Sequence, residues 1–97
     1  MSEALEYGGV VLDVTEEKAR RGEIPLKLSP REFDLITFFM LRPQRLLSTK
    51  TIREEAWPGE YVTVESMRFY ISQLRKKLGH PALIRSKPGQ GYILMEG

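Results

Sequence analysis

The stretch Val64–Leu78 constrains the fold of this chain more than any other. Thr63 stands where a helix N-cap belongs, Gly79 supplies a left-handed stop, and Pro81 prevents continuation. At roughly 100° per residue, Met67, Tyr70, Ile71, Leu74 and Leu78 share one stripe that has to meet a core. The opposite face carries Glu65, Arg68, Phe69, Ser72, Gln73 and Lys76, with Arg75 and Lys77 on its flanks. The rest of the chain must therefore supply a body on one side of this helix and leave a polar, basic face on the other.

Phe69 is the anomaly of that outer face. An aromatic ring there either covers a neighbouring element or touches a partner, although single exposed apolar residues are common. Ser72 and Gln73 are side chains suited to base edges, and Gln can pair with adenine through two hydrogen bonds. Arg68, Arg75, Lys76 and Lys77 suit phosphates. The combination favours nucleic-acid binding.

A chain of 97 residues is long enough for one compact domain and too short for two. Its net charge of +2 hides an asymmetry: residues 1–60 hold nine Lys/Arg against eleven Asp/Glu, and residues 61–97 hold six against two, so −2 gives way to +4. Positive potential gathers in the C-terminal part, where it either attracts a polyanion or forms a solvated helix face. No apolar run approaches the roughly 20 residues of a membrane span, and no signal-peptide pattern is present, so a cytoplasmic protein is the default expectation. With no cysteine and a single histidine, His80, disulfides are excluded and metal chemistry is not expected.

Residues 5–28 read as short antiparallel strands: Leu5–Tyr7, Val10–Leu12, Lys18–Arg21 and Ile24–Leu28, with Pro25 pointing to an edge position in the last. Ser29-Pro30-Arg31-Glu32 then announces a helix through a capping box with proline at the first helical position, and Leu28 and Phe33 sit where a hydrophobic staple forms. This helix is core and runs to about Leu41 before Arg42-Pro43. A shorter one follows, capped by Ser48, running through Ile52 and Ala56 and stopping at Trp57-Pro58-Gly59. Thr49, Lys50 and Thr51 in its first turn are suited to a phosphate, although ordinary capping is the simpler reading of Ser48. After the long helix, Leu83–Lys87 and Tyr92–Met95 read as a hairpin around Pro88-Gly89-Gln90-Gly91. Arg85 and Lys87 alternate along its first strand and are expected to project from one side, near the basic end of the helix.

On these residues the sequence resembles the winged-helix effector domain of the OmpR/PhoB class of bacterial response regulators. The resemblance spans nearly the whole chain and rests on "LSPREFDLITFFMLRPQRLLS", "AWP", "ISQLRKKLG" and "LIRSKPGQGYIL". It implies an α+β winged helix-turn-helix: an N-terminal antiparallel sheet (residues 5–28), three helices (29–79) and a C-terminal hairpin wing (83–95). It also implies double-stranded DNA as partner, recognised on direct-repeat half-sites by a tandem dimer. Glu65, Ser66, Phe69, Tyr70, Ser72, Gln73 and Arg75 match DNA-facing positions of the family, and Trp57 matches an indole that touches a backbone phosphate. Relatives often have Arg where Glu65 and Gln73 stand, so base preference does not carry over. Where some members have a basic wing residue this chain has Pro88, which leaves that role to Lys87 or Arg85. The loop Pro58–Val62 matches a segment that some members apply to RNA polymerase. Relatives usually carry a receiver domain with a phosphorylated aspartate, and Met1 beside an apparent linker remnant makes a fragment of such a regulator the preferred expectation.

Two other classes compete. A winged-helix protein-interaction module would use Phe69 as a hot spot and the basic face against an acidic partner. An enzyme is the weakest reading: there is no nucleotide-binding glycine loop, His80 sits in a turn beside Pro81, and Glu16-Glu17 and Glu54-Glu55 are adjacent pairs whose side chains diverge. No catalysis and no cofactor are expected.

Overall fold

In a computed structural model, which describes residues 4–79 and 83–96, each expected element forms. Strands β1 (Ala4–Tyr7), β2 (Val10–Asp13), β3 (Lys18–Arg21) and β4 (Ile24–Leu26) make an antiparallel meander in that order. The register places Leu5, Leu12, Ala19 and Leu26 in one cross-strand row. Leu12 and Ala19 are buried, so this row marks the face turned to the core. Pro25 lies opposite Arg20 on the outermost strand, where its missing N–H disturbs no further ladder. β4 ends two residues earlier than expected because the chain turns there into the first helix cap.

Helix α1 (Pro30–Met40) starts with the full capping box: the Glu32 amide donates to Ser29 Oγ (3.2 Å), and the Ser29 amide donates to Glu32 Oε1 (2.9 Å). It buries Phe33, Leu35, Ile36, Phe38, Phe39 and Met40. Helix α2 (Thr49–Glu55) is capped by Ser48, whose Oγ accepts from the Thr51 amide at 3.1 Å. Helix α3 (Val64–Leu78) is capped by Thr63 and ends on Gly79 at φ 70°, a left-handed conformation that glycine adopts without a Cβ penalty. The turn expected at His80 and the stop expected at Pro81 lie outside the described residues, as does the Met1 end.

The wing consists of β5 (Ile84–Lys87) and β6 (Gly91–Leu94), paired antiparallel. Gly91 is not a turn residue, as its sequence context suggests, but the first residue of β6, opposite Lys87. The reason is a close approach: the backbone of Leu47 passes directly over Gly91, whose φ is 139°. Leu47 exchanges two backbone hydrogen bonds with Tyr92 (2.8 and 2.9 Å), and the Gln44 amide donates to Leu94 O at 2.8 Å. The connection between α1 and α2 thus lies along β6 like a third strand. A two-stranded hairpin is marginal by itself, and this contact anchors it to the body. No helix among the described residues is long and apolar enough to cross a membrane.

Candidate nucleic-acid interface

The two faces of α3 separate as its periodicity requires. Met67, Ile71, Leu74 and Leu78 are at most 1% exposed, whereas Phe69 is 58% exposed. Glu65, Arg68, Ser72 and Lys76 are exposed beside it, and Gln73 is half-buried. Ser66 is half-buried and serves the helix start, its amide and hydroxyl both bonded to Thr63 Oγ1 at 3.1 Å. Tyr70 lies between the two faces. Its ring is 5.5 Å from that of Trp57 and 5.9 Å from that of Phe69, with the Arg31 guanidinium 5.5 Å away.

Trp57 is placed inside the molecule. Its side chain is 1% exposed, and Nε1–H donates to the Arg31 carbonyl at 3.0 Å. A buried indole seeks one acceptor, and here α1 provides it. Trp57 is therefore a core residue between α1 and α3, with its indole N–H already engaged.

Apart from Lys76, the cations near the C-terminal end of α3 are committed to other parts of the molecule. Lys77 Nζ lies 2.6 Å from Glu32 Oε1, a carboxylate only 4% exposed. Burial pushes the Glu32 carboxyl up. The Lys77 ammonium and the Ser29 capping contacts outweigh that and hold it below its ordinary range. Arg75 donates Nε–H and Nη2–H to Ile84 O at 2.9 and 2.7 Å, and Nη2–H to Ser86 Oγ at 2.9 Å. Arg21, on β3, donates to Leu78 O (3.3 Å) and Gly79 O (3.0 Å), satisfying carbonyls that the helix end leaves open. Nothing local in the sequence signals that last contact.

Beside the outer face of α3 lies a cleft of about 400 Å³ between the start of α2 and the wing turn. Lys50, Arg68 and Lys87 line it from three different elements. Arg85, half-buried on β5, pairs in register with Ile93. A convex helix with polar and aromatic side chains, a cationic cleft and a projecting hairpin are thus brought to one side of the molecule.

A three-helix core with an N-terminal sheet and a C-terminal hairpin after the last helix defines a winged helix-turn-helix protein. The family model described as "Transcriptional regulatory protein, C terminal" matches residues 23–94, and the chain belongs to that family, the OmpR/PhoB-type effector domains. It is similar to the phosphate regulon transcriptional regulatory protein PhoB of Escherichia coli (strain K12), 34% identical over 96 residues that cover 95% of this chain and 42% of that protein. The chain therefore spans about two-fifths of the length of that relative. Among solved structures, the DNA-binding domain of E. coli CadC is 27% identical with a TM-score of 0.89, covering 100% of this chain and 96% of that one. The DNA-binding domain of E. coli CpxR is 26% identical with a TM-score of 0.81, covering 98% of both.

Proposed function

We propose that this chain is a single winged-helix domain that binds double-stranded DNA sequence-specifically to regulate transcription. The observation that carries this reading is the outer face of α3, where Phe69, Ser72 and Gln73 stand outward between the exposed cations Arg68 and Lys76. A major groove about 12 Å wide admits an α-helix, which would bring Gln73 and Ser72 to base edges and Phe69 to thymine methyl groups. Arg68 and Lys76 meet phosphates, and Lys87 reaches the adjoining backbone or minor groove from the wing. The similarity to the DNA-binding domains of CadC and CpxR supports the same reading.

Further partners belong to the proposal. The family suggests direct-repeat half-sites bound by a tandem dimer, and a receiver domain elsewhere in a longer cytoplasmic regulator. Tyr61, 84% exposed on the loop Pro58–Val62, gives that loop a side chain with which to meet RNA polymerase. We assign the domain no catalysis and no cofactor.

The test is binding to random-sequence duplex as salt rises. Counterion release predicts that log K falls linearly with log salt, with a slope of about 0.9 per phosphate contacted. Retention of a protein partner with no salt-dependent duplex binding would instead favour an interaction module built on Phe69.

A further inference from the structure

We infer that Arg75, although it stands on the recognition helix, acts as a positioning residue: its guanidinium is the strut that holds the wing, and Lys87 with it, against α3. The inference rests on the DNA-binding reading above and goes beyond it.

The geometry is that of a fork closed on the hairpin. Nε and Nη2 both reach Ile84 O, and Nη2 also reaches Ser86 Oγ, so the bidentate edge that would grip a phosphate is already engaged. The same guanidinium carbon lies 5.7 Å from the centre of the Tyr92 ring. Ile84 and Ser86 are on β5 and Tyr92 is on β6, directly opposite Ser86, so one side chain ties both wing strands to α3. Lys87 follows Ser86 immediately and lines the cationic cleft together with Arg68 of α3. The direction in which Lys87 projects is thereby coupled to the groove-facing helix.

The wing needs such a tie. On the β6 side the body holds it through the pairing of Tyr92 with Leu47 and the Gln44 amide on Leu94 O. Arg75 supplies the β5 side. Lysine in its place would keep the charge and lose the fork, since an ammonium is a point donor on a flexible stem. That separates two roles that charge removal would confound. If Arg75 were a phosphate contact, lysine would keep the charge, and with it the salt slope. As a strut, it fails when replaced by lysine.

The experiment compares wild type, Arg75→Lys, Lys87→Ala and the double variant for affinity to a random-sequence duplex pool across a salt series. Lys87→Ala is expected to lower the salt slope by about 1, Arg75→Lys to do the same despite conserving charge, and the double variant to lose about 1 and not about 2. A wild-type slope in Arg75→Lys, or losses that add in the double variant, would overturn the inference and leave the DNA-binding reading standing. Failure of the wild-type chain to bind any duplex would overturn both. Amide exchange in free Arg75→Lys supplies an independent readout: faster exchange confined to β5 and β6 is expected, and unchanged wing protection contradicts it. If Arg75→Lys does not fold, Ser86→Ala removes one arm of the strut without touching α3. Its effect on binding should then be coupled to that of Lys87→Ala, and additivity would again count against the strut.

Discussion

The four cations of α3 divide into two pairs with opposite fates. Arg68 and Lys76 are exposed and have no side-chain partner among the described residues. Arg75 and Lys77 are engaged by neighbouring elements, Arg75 by the wing and the still partly exposed Lys77 by the buried Glu32. Helical spacing already sets Arg75 and Lys77 on the flanks, but not the acceptors they meet there. The difference is that the first pair lies over the middle of the outer face, whereas the second lies on its flanks, where neighbouring elements supply acceptors. A basic helix therefore offers a duplex less charge than its composition suggests. Part of that charge builds the scaffold that aims the rest.

The largest expected effect comes from attacking the scaffold itself. In Gly91→Ala the new methyl runs into the Leu47 carbonyl, about 2.8 Å from its carbon, at a φ of 139° that alanine rarely adopts. A loss of about 3 kcal/mol or more in urea unfolding is expected, because backbone must move and strain remains. A loss under about 1 kcal/mol would mean that the wing is not seated on Leu47 as described.

A second comparison sharpens the contrast between the faces of α3. Leu74→Ala, at a fully buried position, should cost about 2–5 kcal/mol of stability through lost burial and the cavity left behind. Phe69→Ala should change stability by no more than about 0.5 kcal/mol, since its ring is largely in solvent. Yet Phe69→Ala is expected to weaken duplex binding. Equal stability losses for the two variants would erase the distinction between inner and outer face.

Glu32→Gln should cost about 1–2 kcal/mol, less than a fully buried ion pair because the Lys77 side chain is 36% exposed. Glutamine can still serve the capping box, so the effect reports the pairing with Lys77. The pH dependence has a definite sign. The folded-state pKa of Glu32 is lowered from an ordinary 4.5, so its stabilisation is present above about that pH and is lost as the pH falls through the folded-state value. The stability gap between wild type and Glu32→Gln, followed by denaturant titration, should narrow below pH 4.5. A gap that widens there would reverse the assignment.

Which features were legible in the sequence follows from their range. The caps Ser29, Ser48 and Thr63 act over three residues, and the stripe of α3 repeats within a single helix, so composition and spacing disclose them. Helix ends differ from expectation by a residue: α1 stops at Met40 and α2 at Glu55, where Leu41 and Ala56 become C-caps. The contacts that reassign cations are long-range. Lys77 meets Glu32 across 45 residues, and Arg21 reaches Gly79 across 58. Trp57 illustrates the same limit. The resemblance implies an indole on a phosphate there, but the acceptor its N–H meets is the Arg31 carbonyl, supplied by another helix. Gly91 was legible as a special glycine and not as a contact, because Leu47 approaches it from a distant part of the chain.

The central claim is that the outer face of α3 reads base edges, with Gln73 as a reader and Lys76 as a phosphate contact. The most direct measurement sets Gln73→Ala beside Lys76→Ala on a duplex selected from a random pool and on random duplex. Gln73→Ala is predicted to reduce the preference for the selected site by about 1–3 kcal/mol, while Lys76→Ala weakens both duplexes alike and lowers the salt slope by about 1. Equal losses on both duplexes for Gln73→Ala would contradict the account.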